Sequence, residues 1–172
     1  MSGVEGAALL ARPAVQRVAA ALKAGGAAAE IRALAETART AQDAANALGC
    51  PVGAIVKSLV FATGGHPVMA LVAGDRQCDT KALGAVLAAQ FDLPGKVGRA
   101  DADLVRVATG FTIGGVAPLA HETALPIVLD ASLRRFDTIW AAAGHPHCVF
   151  STSVDELLRL TGAAESDTIG RA

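Results

Sequence analysis

A chain of 172 residues with 52% apolar and 18% charged side chains has the make-up of a folded protein with one well-buried core, and its length argues against two domains. The net charge of −1 gives no overall pull toward nucleic acid. The uncharged run Val107 to His121 is broken by three glycines and a proline and is too short to span a bilayer.

Pro13 suits a first helical turn, and Val15, Val18, Ala19 and Leu22 follow at helical spacing until Gly25-Gly26. Glu30 to Leu34 reads as a short strand. Thr40 is a helix N-cap with Asp43 at the third helical position and Gly49 as the stop. A turn around Pro51 and Gly53 leads to an apolar strand, Ser58 to Ala62, with Lys57 at its mouth. Gly64-Gly65-His66-Pro67 turns the chain into Val68 to Val72, which completes a hairpin.

Asp79 or Thr80 caps a helix carrying Leu83, Val86, Leu87 and Gln90, and Asp101 opens another that stops at Gly110. Pro126 to Leu129, Thr138 to Ala142 and His147 to Phe150 read as strands. Ser153-Val154-Asp155-Glu156 is a capping box before Leu157, Leu158 and Leu160, with Gly162 as the stop. The pattern gives an α+β (mixed α/β) fold: a mixed, barrel-like sheet with flanking helices, rather than a doubly wound parallel sheet. One domain is expected over residues 1–172, with a core at about 14–162 and a frayed tail at 163–172.

Cys50, Cys78 and Cys148 are odd in number, widely spaced and form no C-x-x-C pair, which suits a reduced, cytoplasmic setting. The N-terminus has no basic stretch before an apolar region, so no signal peptide is expected. Lys57 either snorkels to solvent or supplies a fixed cation to a polar pocket. Ser58 points to the opposite face of a regular strand, so both can serve one pocket only where the chain twists or bulges.

Gly110-Phe111-Thr112-Ile113-Gly114-Gly115-Val116-Ala117-Pro118 is Gly-rich but lacks the Lys-Ser/Thr of a phosphate-binding loop, and no G-x-G-x-x-G follows a strand. It is either an ordinary turn or a place where backbone N–H groups approach a ligand. His145, His147 and Cys148 have metal-ligating chemistry, but no second cluster completes a zinc set, so neither metal nor cofactor is expected. No G-x-S-x-G elbow supports a serine nucleophile. Five Phe, one Trp and no Tyr give little support for base stacking along a single strand.

Val56-Lys57-Ser58-Leu59-Val60-Phe61, the Gly110–Pro118 segment, Ala142-Ala143-Gly144-His145-Pro146, Val149-Phe150, Thr37-Ala38-Arg39-Thr40 and Leu48-Gly49-Cys50 together resemble the YbaK/ProX aminoacyl-tRNA deacylases, relatives of the editing domain of bacterial prolyl-tRNA synthetase. The resemblance runs over about residues 14 to 162. It implies a freestanding trans-editing hydrolase that cleaves the ester of a mischarged small amino acid (Ala, Ser, Thr or Cys) on tRNA. It implies Lys57 and Gly114 as the catalytic pair. Substrate contacts would come from Ser58, Phe111, Gly115, Val116 and Pro118, and His145 would line the amino-acid pocket.

The implied partners are the 3′ end of aminoacyl-tRNA and a prolyl- or other tRNA synthetase, with no membrane. Two departures from the family pattern stand out: Ala120 where relatives carry glycine, and His147-Cys148 in place of a small polar and an apolar residue. A noncatalytic tRNA- or synthetase-binding module of the same fold, and an unrelated small-molecule hydrolase, are the alternatives.

Overall fold

The computed structural model describes residues 2–35 and 38–172, so Thr37 of the resembling segment lies outside the described residues. Its centre is the strand β3 (His66–Ala73), whose residues Val68 to Ala73 are all fully buried. A continuous apolar run of this kind is what a strand needs when both faces of its sheet are covered. The neighbours are β2 (Ile55–Thr63), antiparallel, and β6 (Ile127–Asp130), parallel, so the sheet is mixed as expected. Gly64 and Gly65, at φ 55° and 81°, make the two-residue turn between β2 and β3, where two left-handed residues match the strand twist.

The other strands are β1 (Ile31–Ala33), β4 (Gln77–Cys78), β5 (Val97–Arg99), β7 (Ile139–His145), β8 (Cys148–Thr152), β9 (Ala164–Ser166) and β10 (Gly170–Arg171). The main sheet runs β1-β8-β7-β2-β3-β6-β9, with β5 joined to β2 from the side, and β10 pairs with β4 apart from it. The sheet stays open, its path ending at β1 and β9.

Helices α1 (Gly3–Leu10), α2 (Pro13–Ala24), α3 (Ala41–Leu48), α4 (Thr80–Phe91), α5 (Ala102–Thr109) and α6 (Val154–Thr161) flank it. On one face Val15, Val18 and Leu22 of α2, Val105 of α5 and Leu157 of α6 pack against Met69 and Leu71. On the other, Leu83 and Leu87 of α4 meet Val68, Ala70 and Val72. This alternation along β3 is the two-residue period of a strand.

Several boundaries differ from expectation. β2 begins at Ile55, so Lys57 lies inside the strand rather than at its mouth. Pro146 and His147 form the turn between β7 and β8, where His145 faces Cys148, so β8 begins at Cys148 rather than at His147. At α3 the reciprocal cap forms between Thr40 and Asp43. At α6 only half of it does: Ser153 Oγ accepts from Glu156 N–H, but the Glu156 carboxylate binds Arg159 instead.

Residues 163–172 are not frayed. β9 pairs in parallel with β6, β10 pairs with β4, and Ile169 is fully buried among Val68, Leu83 and their neighbours. One buried isoleucine and two short ladders anchor a segment whose polar composition resembles a loose end. Among the described residues no helix is long and apolar enough to cross a membrane.

Candidate functional site

One edge of β2 is paired with β3 along its whole length. The opposite edge is divided: Ile55 and Val56 pair with β7, Phe61 to Thr63 pair with β5, and Lys57 to Val60 lie between, without a strand partner on that edge among the described residues. Successive peptide groups of a strand point to alternate edges, so this stretch turns unpaired N–H and C=O groups into the gap. A cavity of about 820 Å³ opens there.

Because it sits at a strand edge rather than over a face, side chains from both faces border it. Val56 and Val60 pack on the α2 side and Leu59 and Phe61 on the α4 side. Lys57 therefore reaches the cavity from the α4 side and Ser58 from the α2 side. The interrupted ladder, not a twist or bulge in β2, brings the two neighbours to one space.

Lys57 is half-buried, and its Nζ donates to the carbonyl of Arg76, in the turn before β4. Burial holds its pKa below the ordinary lysine value, opposed by the negative charge of Asp75 and Asp130 and by Cys78. Arg135 fixes Asp75 through two hydrogen bonds of 2.8 and 2.7 Å. The buried Asp130 carboxylate accepts from Ala73 N–H, Ser132 N–H and Ser132 Oγ at 3.1, 2.9 and 2.8 Å. Cys78 also borders the cavity; burial, with Asp79 and Asp130, pushes its thiol up to about 11. It is a protonated thiol near neutral pH. Ser58 Oγ is buried and, among the described residues, has no hydrogen-bond partner.

The glycine loop approaches from the α2 side. Gly110, at φ 77°, ends α5 in the left-handed conformation, and Thr112 to Gly115 form a turn in which Gly115 N–H donates to Thr112 C=O at 3.0 Å. That N–H is committed to the turn. Gly114, at φ 95°, has no protein partner for its N–H among the described residues, and with Val116 it lines the cavity. The loop backbone lies directly against the β7–β8 hairpin, and Pro146 borders the cavity beside it.

The sequence-derived candidates divide accordingly. Lys57, Ser58, Gly114 and Val116 border one cavity, although Lys57 and Gly114 come from opposite faces of the sheet. Phe111, Gly115, Pro118 and His145 stand behind its wall. Phe111 is 2% exposed and lies under the Arg17 guanidinium, 4.3 Å from its ring centre, with His121 edge-on at 6.3 Å. Pro118 is buried. His145 Nδ1 accepts from His147 N–H at 3.1 Å, and burial, Arg12 and His147 lower its pKa. The two histidine rings pack edge to face at 5.3 Å. Among the described residues no three His, Cys, Asp or Glu side chains converge as metal ligands.

Residues not singled out in the sequence hold the loop from behind. Arg17 donates to Glu122 at 3.0 Å and to the Thr109 carbonyl at 2.7 Å, bridging the entry and exit of the loop. His121 Nε2–H donates to Ala117 C=O at 2.7 Å. Trp140 and Gln77 border the cavity as well. Trp140 was detectable as the outward member of an alternating strand; the pairing of Arg17 with residues 92 and 105 positions away had no local signal.

The arrangement can hold a polar group between an ammonium and a bare peptide N–H, within walls of valine and alanine. Comparison with known proteins gives the same direction. The model of the aminoacyl-tRNA editing domain matches residues 35–160. The uncharacterized protein YwhH of Bacillus subtilis (strain 168) is 33% identical over 69% of this chain and 72% of its own length.

Proline–tRNA ligase of Lactobacillus helveticus (strain DPC 4571) is 28% identical over 74% of this chain, which spans only 23% of that enzyme. A crystal structure, proposed by its crystallographers to be a trans-editing enzyme for prolyl tRNA synthetase, superposes with a TM-score of 0.83 at 38% identity, covering 94% of this chain and 99% of that one. The chain belongs to the aminoacyl-tRNA editing domain family and has the YbaK-type fold of that family.

Proposed function

We propose that the protein is a freestanding trans-editing deacylase that hydrolyses the ester between a small mischarged amino acid (Ala, Ser, Thr or Cys) and the 3′ end of tRNA. The observation that carries this reading is that Lys57 and Gly114 border one cavity, opened by the divided edge of β2, in a chain of the editing-domain family. The cavity, about 820 Å³, is in the range of ligand pockets, roughly 300–1,000 Å³, and exceeds what a small side chain fills. It has room for an aminoacyl group together with a terminal nucleoside.

An aminoacyl ester is already activated, so placing water and stabilising the developing oxyanion suffice. Water attacks the carbonyl carbon, the bond to the ribose oxygen breaks, and the proton lost by water ends on that oxygen. Free amino acid and tRNA leave. Gly114 N–H is the donor to the oxyanion, and the Lys57 ammonium, drawn from the Arg76 carbonyl, adds positive potential. The valines that line the loop side limit the size of the amino acid admitted. One methylene is worth only about 1–3 kcal/mol in such a pocket, so discrimination between neighbours is modest. The reaction belongs in the cytoplasm, where a prolyl- or other tRNA synthetase would supply the mischarged tRNA.

The test is a panel of tRNAs mischarged with Ala, Ser, Thr and Cys, incubated with wild type and Lys57→Ala. Release of one or more residues, lowered on the order of a hundredfold by Lys57→Ala, supports the deacylase. Tight tRNA binding without release points to a noncatalytic module. Cleavage of simple esters but not of aminoacyl-tRNA points to an unrelated hydrolase.

A further inference from the structure

The two ends of the cavity are built differently. The loop end is lined by Val105, Gly114 and Val116. At the α3 end, Trp140 occupies an outward position of β7, between the buried Ile139 and Ala141, and its half-buried ring is part of the cavity wall. Arg32 of β1 lays its guanidinium over this ring, 4.9 Å from the ring centre. Arg39 and Arg99 stand exposed on the cavity rim. Trp140 pairs with Ile55, two residues before Lys57, so Lys57 shares its face of the sheet and stands between it and the loop end.

An indole backed by a cation, with alanine and valine around it and guanidiniums at the rim, has the chemistry of a seat for a planar base with a phosphate nearby. A small amino-acid side chain has no use for such a surface. We infer that Trp140 is the contact for the terminal purine nucleotide of the substrate, with Arg39, next to the Ala38 that packs in the cluster of Trp140, receiving its phosphate. This inference rests on the deacylase reading of the same cavity. It assigns the α3 end to the nucleoside and the Gly114 end to the amino acid, with the scissile ester between them at Lys57. Its recognition is by stacking at one position, which a chain with a single tryptophan can supply.

Trp140 is the sole tryptophan and tyrosine is absent, so the intrinsic emission reports on this site alone. Adenosine 5′-monophosphate is expected to change that emission saturably, and ribose 5-phosphate to leave it unaltered. In deacylation assays Trp140→Ala is expected to raise KM about tenfold to a hundredfold with kcat held within about twofold, and Trp140→Phe to recover most of the loss. Thermal melts identify a variant that fails to fold, in which case the titration of wild type decides.

An equal response to ribose 5-phosphate, or no response while wild type still deacylates, overturns the assignment of Trp140 and leaves the deacylase reading standing. A fall in kcat at unchanged KM overturns it too. A saturable response to the nucleotide in a protein that releases no amino acid removes the deacylase reading and keeps the nucleotide seat.

Discussion

Gly115 lies so close to His145 that a Cβ added at position 115 would stand 2.9 Å from the His145 Cα. The contact is backbone against backbone, so nothing can swing aside. Gly115→Ala is expected to cost about 1–3 kcal/mol through overpacking, displacing the loop and with it Gly114. Gly114 itself has ordinary space, its nearest neighbour being Pro146 Cγ at 3.6 Å, but its φ of 95° is unsuited to an L side chain. Gly114→Ala should therefore cost about 1–2 kcal/mol from backbone strain. Denaturant melts of the two variants, set beside their deacylation rates, check both expectations.

Ala120 adopts φ 65°, in the left-handed region. Relatives with glycine here avoid a strain of about 1–2 kcal/mol, against which the freer unfolded chain of a glycine weighs roughly 0.5–1 kcal/mol. Ala120→Gly is expected to stabilise this protein by about 0.5–1 kcal/mol, seen as a rise in Tm of roughly 1–3 °C, without loss of activity. An unchanged or lower Tm contradicts the account of the strain.

Burial lowers the Lys57 pKa below its ordinary 10.5. The charged form is thus disfavoured by folding, and the penalty is present at neutral pH and lifts as pH rises through the folded pKa toward 10.5. Lys57→Met should lose activity on the order of a hundredfold, as expected for Lys57→Ala, yet be more stable than wild type at neutral pH, and the stability difference should shrink as pH approaches the unfolded lysine value. Chemical denaturation of both proteins across that range measures it. A stability difference independent of pH would contradict the account.

Cys78, with its thiol pushed to about 11 from an ordinary 9.0, should alkylate on the order of a hundredfold more slowly than a free thiol near neutral pH. Lys57 opposes this shift, so Lys57→Met should slow alkylation of Cys78 further. Peptide mapping after timed exposure to iodoacetamide separates Cys78 from Cys50 and Cys148.

Ile169 is fully buried, and its carbonyl accepts from Asp79 N–H at 2.7 Å. Ile169→Ala is expected to cost about 2–5 kcal/mol and to loosen β4, which carries Gln77 and Cys78 into the cavity wall. Hydrogen exchange at residues 76–79 should rise more than at β3 if the tail holds this segment in place.

Local chemistry made much of the fold legible. Thr40 with Asp43, Asp79, Asp101 and Gly49 marked helix ends, and Gly64-Gly65 marked the hairpin, because caps and turns depend on neighbours a few residues apart. Lys57 and Gly114 stood out as a cation at the mouth of an apolar strand and a glycine in a proline-closed loop. What escaped was the product of distant pairing. The gap beside Lys57 exists because β7 and β5 meet β2 at different ends, and neither the three residues of β5 nor their register is written near Lys57. Phe111 and Pro118 read as pocket residues because they sit in the motif, yet they serve the loop from within the core. Their neighbour Arg17 acts across 92 residues.

The opening beside Lys57 is framed by which strands pair, while the residues that decide how large a guest enters are separate side chains, Val56, Val60, Val105 and Val116 among them. Exchanging those valines would resize the interior without dismantling its frame. Under the proposed editing function, a lineage built on this plan would change which amino acid it releases by few point substitutions, and leave its chemistry where it was.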